Sequence, residues 1–243
     1  MDITAKYGDF LSGEKLSVGA RFQDLSSPAV VDRIEYLRQR CTGQKVLHLG
    51  CLDHAEVITQ RMKDGTWLHG IISEVSAACL GIDINASCRE IVRSQFDVDN
   101  IELIDLCNPF TDESLSKLTQ TKWEVILCPE MLEHITNHQQ FLLNLSKLAS
   151  MSGAALVITV PNAFGFVNFI NALRGFEAIN TDHKYWFTFY TLSRLLTSTG
   201  WRPRELVYYN DRNKRRWVHV LSRLAIRVSR MFSSGLIVEA TPH

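Results

Sequence analysis

Lys45-Val-Leu-His-Leu-Gly-Cys-Leu-Asp-His54 is the stretch whose reading decides the fold. It reads as a short apolar strand over 46–49 that breaks at Gly50 and runs into a helix. In an α/β sheet that arrangement sets backbone N–H groups, and the positive end of a helix, at the carboxyl edge of the strands. A second strand, Cys79-Leu-Gly-Ile-Asp-Ile84, carries an acid at its tip, Asp83. A carboxylate there can accept two hydrogen bonds from a ribose diol. The pair predicts a nucleoside-bearing cofactor lying across two adjacent strand ends.

The turn holds one glycine where a dinucleotide fingerprint carries three, with Leu52 and His54 where a pyrophosphate needs bare backbone. The 33 positions from Gly50 to Asp83 also exceed the roughly 20 of that fingerprint. S-adenosylmethionine has no pyrophosphate and needs less clearance. With VLHLGC at 46–51, GIDI at 81–84, ELIDL at 102–106, EMLEH at 130–134, VITVPN at 157–162 and HKYWFTFYTLSRLLTSTGW at 183–201, the chain resembles the class I S-adenosylmethionine-dependent methyltransferases. It looks closest to the branch holding the ubiquinone-pathway enzymes and many methyltransferases of bacterial glycan gene clusters. The resemblance implies S-adenosylmethionine as donor, with His48, Gly50, Cys51, Leu52, Asp83, Ile84, Asp105, Leu106, Cys128 and Pro129 around it. It sets Asp105 and Leu106 beside the adenine, where a carboxylate can accept from the exocyclic amine and an aliphatic chain can cover the ring. His48 stands where the family commonly has an acid near the methionine amine, and a neutral imidazole there accepts one hydrogen bond.

The totals allow one large α/β domain or a core with small additions. A chain of 243 residues with 46% hydrophobic content supports one large domain, and a mean hydropathy of −0.03 is ordinary for a water-soluble protein. Lys+Arg and Asp+Glu are equal at 26 each, so no overall charge calls for nucleic acid. An Asn/Asp-Pro-Pro-Tyr motif is also missing after the fourth strand. The six cysteines form no C-x-x-C pair and fall mostly in apolar runs, as buried reduced thiols of a cytoplasmic protein do. The first residues lack the apolar core of a signal peptide, and no uncharged apolar run approaches the ~20 residues that span a bilayer.

Strands are expected at 46–49, 79–84, 101–106, 123–128 and 154–160, alternating with helices at 28–40, 55–62, 67–77, 89–96 and 139–149. That order means a doubly wound parallel sheet. Residues 204–209 and 235–240 then read as a closing antiparallel hairpin, for seven strands in all. Around this core lie an irregular or short-helical lid at 1–27, a helical cap at 162–188 before the helix at 190–199, and a basic insertion at 212–232. The insertion carries Trp217, Leu221, Leu224, Ala225, Val228 and Phe232 at helical spacing, with Arg215, Arg216, Arg223, Arg227 and Arg230 opposite. Such a helix can dock its apolar stripe on the sheet, or lie on an anionic membrane or a phosphate-bearing carrier.

Glu130, Glu133 and His134 follow the fourth strand, where the resembled family has the surroundings of the reacting methyl group. On a helix Glu130 and His134, four apart, would share one face. Methyl transfer to an aliphatic hydroxyl needs a base, and an imidazole with a reference pKa near 6.5 suits it, so His134 is the candidate, oriented by a neighbouring carboxylate. His183 and Trp186 are candidate acceptor contacts, since aromatic and hydrogen-bonding groups together suit a sugar or ring. No metal is expected, because no cluster of carboxylates and histidines shows ligand spacing in the sequence. The reading is therefore a methyltransferase acting on a small molecule or glycan, at oxygen. A catalytically silent binding protein on the same fold, or a nicotinamide-dependent oxidoreductase, are the alternatives.

Overall fold

The structure, a computed structural model, describes residues 3–23, 29–210 and 216–243, with the backbone alone over 216–220. The end of the expected lid at 24–27 and the first residue of the helix expected at 28–40, the start of the basic insertion at 212–215, and the side chains of Arg216 and Trp217 lie outside the described residues.

All seven expected strands form: β2 (Lys45–Leu49), β3 (Ala78–Asp83), β4 (Ile101–Leu103), β5 (Val125–Pro129), β6 (Ala155–Pro161), β7 (Trp201–Tyr209) and β8 (Gly235–Pro242). An eighth, β1 (Val30–Val31), occupies the start of what periodicity assigns to a helix; α2 begins only at Arg33, capped by Asp32. The sheet order is β1-β7-β8-β6-β5-β2-β3-β4, with β8 antiparallel to both neighbours and every other pairing parallel. The chain order reverses at β2, which pairs β3 on one side and β5 on the other. Such a switch point opens a crevice beyond the strands' carboxyl ends.

Both sheet faces are covered, which explains near-continuous apolar strands such as β5, buried along its length. Alternate side chains serve opposite cores. Leu47, Ile126, Leu156 and Ile158 join Phe141, Leu145 and Leu192 on one face. Val46, Val125, Leu127 and Val157 join Leu37 and Ile72 on the other. The helices are α2 (Arg33–Cys41), α3 (Ala55–Lys63), α4 (Leu68–Val75), α5 (Ala86–Phe96), α6 (Asp112–Thr119), α7 (His138–Ser152) and α9 (Phe189–Thr197), with α8 (Phe166–Leu173) in the cap and α10 (Arg216–Val228) in the basic insertion.

The N-terminal segment is more ordered than a loose lid. Its helix α1 (Ile3–Ser12) buries Ile3, Tyr7 and Leu11 and packs on α9 and β7, where the Thr4 hydroxyl donates to the Pro203 carbonyl. Phe22 stacks on Tyr190 at 4.2 Å. The cap is pinned at its neck, where the Ala163 N–H donates to the Phe187 carbonyl and the Asn162 side chain donates to the carbonyls of Met231 and Ser233.

Gly235 faces Tyr209 across the β7–β8 pairing, and a Cβ there would lie 2.0 Å from the tyrosine ring. Gly235→Ala is therefore expected to cost about 1–3 kcal/mol by overpacking. A thermal melt should register this as a lower Tm, and an unchanged Tm would mean that the ring has room to move.

Candidate active site

Gly50 ends β2 at φ +63°, a left-handed conformation open to glycine, and a Cβ there would press on the Met131 side chain at 3.0 Å. Its N–H donates to the Ile82 carbonyl, so the turn stays tied to β3. The next link is Asp83, whose Oδ2 accepts the Leu52 N–H at 2.9 Å, while Oδ1 accepts the N–H groups of Ile84 and Asn85. A carboxylate has about four lone-pair directions, so one remains on Oδ2. A ribose diol thus meets one open acceptor here rather than the two read from sequence. Ile84 stands 73% exposed beside it, an aliphatic surface on which a ring can lie.

Neither residue in a glycine place fills the crevice with an unsupported side chain. Leu52 packs against the cluster of Ile58, Trp67, Val92 and Ile101. His54 is exposed and turns its Nε2 towards Asp182 of the cap, 3.8 Å away. Asp105 is exposed just past β4 and accepts from the Cys107 N–H and the Asn108 amide, whereas Leu106 is buried in the core. Cys51 and Cys128 are buried thiols held neutral by desolvation, and Pro129 closes β5.

His48 is a correction. Its imidazole lies in the interior, Nδ1 to Nδ1 at 3.1 Å from His69, away from any donor amine at the strand tip. Burial holds His69 down to about 4, and burial together with His69 holds His48 well below the usual imidazole range.

A second correction concerns Glu130. It is not on a helix with His134; it follows β5 at φ +48° and swings away, its Oε1 accepting from the hydroxyls of Thr159 at 2.7 Å and Tyr209 at 2.8 Å. The following 3-10 turn, Leu132–His134, brings Glu133 and His134 together against the cap instead. His134 Nδ1 lies 3.1 Å from Asp182 Oδ2, and its ring meets His183 edge-on at 4.6 Å. Both His134 Nε2 and His183 Nε2 lie 4.0 Å from Glu133 Oε1. Glu133 is fully buried, and neither carboxylate oxygen has a hydrogen-bond partner among the described residues. Desolvation, with the charge of Glu130, pushes its carboxyl up to about 8. Burial and His134 lower His183.

The cap supplies half of this cluster across a long sequence gap. Lys184 donates its backbone N–H to the Glu133 carbonyl and its ammonium to the His134 carbonyl and the Thr136 hydroxyl. Glu133, His134 and His183 consequently place one ligand atom each within 4.8 Å of one another. The sequence shows no such ligand spacing, because the cluster is assembled across 50 positions by the cap. An orphaned buried carboxylate facing two imidazoles fits a divalent cation. Sequence reasoning also missed Asp182, Lys184 and His69; only the density of polar residues at 181–184 hinted at the first two.

Trp186 stands 6.4 Å from His183, ring to ring, and lines a cavity of about 610 Å³ between the cap and residues 229–232. Phe164, Phe169, Phe176, Met231 and Phe232 make its lining mostly apolar.

A family profile described as a methyltransferase domain matches residues 30–206. Among curated proteins the chain is similar to the ubiquinone biosynthesis O-methyltransferases of Coxiella burnetii, 24% identical over 54% of this chain and 51% of that protein, and of Histophilus somni, 26% identical over 54% and 52%. It spans about half the length of the curated relatives it matches. Similar solved structures include magnesium protoporphyrin IX methyltransferase from Synechocystis PCC 6803 with bound SAH, at TM-score 0.50, 15% identity and coverage of 86% and 80%. A TehB-like SAM-dependent methyltransferase from Corynebacterium glutamicum matches at TM-score 0.51, 12% identity and coverage of 98% and 96%. At these identities the structural likeness is one of fold.

The His48–His69 pair predicts acid lability. Both rings are neutral when folded and take up protons more readily when unfolded, so their stabilisation is complete above about pH 6.5 and is lost as pH falls towards 4. Thermal melts from pH 7 downwards should show a falling Tm in the wild type and a shallower fall in His69→Asn; equal slopes would remove the pair from the acid response.

Proposed function

The chain belongs to the class I S-adenosylmethionine-dependent methyltransferases, and from that premise we propose that it methylates a hydroxyl on a small acceptor with an apolar body. The observation that carries this reading is the Glu133–His134–His183 cluster, set beside the apolar cavity through Trp186. The curated relatives carry O-methyltransferase in their names, which supports oxygen as the methylated atom. Aromatic and aliphatic walls support an apolar acceptor body over a glycan. Family membership leaves the nicotinamide-dependent alternative without support.

The donor, when bound, supplies a methyl group on an already activated sulfonium, so the chain's own task is positioning and proton removal. Gly50, the Leu52 N–H held by Asp83, and the exposed Ile84 and Asp105 would cradle the adenosyl group, with Leu106 buried behind. The Asp182 carboxylate, 3.1 Å from His134 Nδ1, favours the ring proton on that nitrogen, so Nε2 is the nitrogen we assign as the base. That nitrogen can take the proton of an acceptor hydroxyl as it attacks.

A second reading is favoured by the unpartnered Glu133 carboxylate: Glu133, His134 and His183 hold a divalent cation. When bound, such an ion supplies Lewis acidity towards an acceptor oxygen. In that case Asp182 orients a ligand rather than a base.

Two measurements test these readings. S-adenosylhomocysteine formation, assayed on a panel of phenols and alcohols with apolar substituents, should fall about 10²–10⁴-fold in His134→Ala with donor affinity retained; full turnover in the variant would exclude His134 from proton removal. After chelation, Mg²⁺ or Mn²⁺ should raise the Tm of the wild type and not of Glu133→Gln. The absence of any shift would reject the cation reading and leave the histidine base.

A further inference from the structure

Helix α8, Phe-Val-Asn-Phe-Ile-Asn-Ala-Leu, has no charged residue, yet none of its residues is buried. Phe166 and Phe169 meet Phe232 after α10, but the apolar side chains of α8 are only partly covered, which leaves an open face. Phe164, Phe169, Leu173 and Phe176 all stand at least 45% exposed along and beside it. Helix α10 packs against α8 and continues the surface. Its stripe of Leu221, Leu224 and Val228 repeats at helical spacing and faces outward, Val228 at 84% exposure, instead of docking on the sheet.

Charge is unevenly spread along the sequence. The chain is neutral overall, but 212–238 holds six arginines and one lysine without an acid, and the cap carries Arg174 beside Glu177. Arg223 and Arg227 are exposed on α10 itself. Apolar side chains rimmed by cations match an anionic bilayer, whose headgroups attract the arginines while its acyl region receives the stripe. No helix among the described residues is long and apolar enough to cross a membrane, so the contact is a peripheral one. The apolar cavity opens between these two segments, lined by Phe169 and Phe176 from the cap and Met231 and Phe232 after α10.

We propose that α8 and α10 together form a docking face for an anionic lipid surface, with the cavity opening onto it. Binding is read without donor, acceptor or added metal, so its outcome is separate from that of the methyl-transfer reading. The full chain should co-sediment with phosphatidylcholine vesicles containing phosphatidylglycerol at low salt, and bind at least about tenfold more weakly to phosphatidylcholine alone. Leu224→Glu/Val228→Glu should abolish binding while leaving the Tm unchanged. Arg223→Ala/Arg227→Ala, which keeps the stripe, should weaken binding to anionic vesicles by about tenfold or more. No binding at low salt, or wild-type binding by the glutamate variant, overturns the proposal. So does a concentration-dependent dimer in sedimentation velocity that the glutamate variant abolishes, since that assigns the face to a second copy.

Discussion

The two strand tips on which the site depends are joined past their ladder by a charged hydrogen bond, the Leu52 N–H donating to Asp83 Oδ2, beside the Gly50 N–H on the Ile82 carbonyl. β2 and β3 are parallel neighbours, and their ends would otherwise diverge as the chain leaves for α3 and α5. The Asp83 carboxylate gathers three backbone N–H groups from both departing segments and fixes the turn after Gly50. A charged acceptor makes each of these bonds stronger than its neutral counterpart. The left-handed Gly50 lets the chain turn sharply enough for Leu52 to reach. From this constraint follow the exposure of Ile84 and the direction of His54.

The neighbouring tip, at the end of β5, is organised by strain and by an absent partner. Glu130 accepts a left-handed backbone, uncommon for a residue with a side chain, and is held there by Thr159 and Tyr209. Its diversion towards β6 and β7 leaves Glu133 as the buried carboxylate beside His134. Glu133 then sits in a dry place with two imidazoles for company, a costly arrangement unless something shares its charge. The cap answers structurally: Lys184 clamps the 3-10 turn, and Asp182 reaches both His134 and His54. The candidate cluster and the glycine turn therefore meet at one residue of the cap.

Much of the architecture was legible because parallel strands buried on both faces write themselves as apolar runs between turn signals. What escaped was non-local or weakly patterned. β1 is two residues long and exists only through pairing with the far end of β7. α6 carries a Thr111 cap and acids in its first turn but buries Leu118 alone, so no stripe announced it. Glu130 and His134 were paired on an assumed helix, whereas a positive φ separates them. His183 reaches Glu133 across 50 positions of sequence, and His69 reaches His48 across 21; neither approach leaves a local trace. The apolar stripe of α10 was visible, but whether it faced the sheet or the solvent was a tertiary question.

The central claim is that the joined tips of β2 and β3 hold an adenosyl group. Isothermal titration of S-adenosylmethionine into the wild-type chain and into Asp83→Ala tests it most directly. The account predicts saturable one-to-one binding by the wild type and its loss in the variant, with the variant still folded by circular dichroism. An absence of heat with the wild type at millimolar donor, or equal affinity in both proteins, would contradict it.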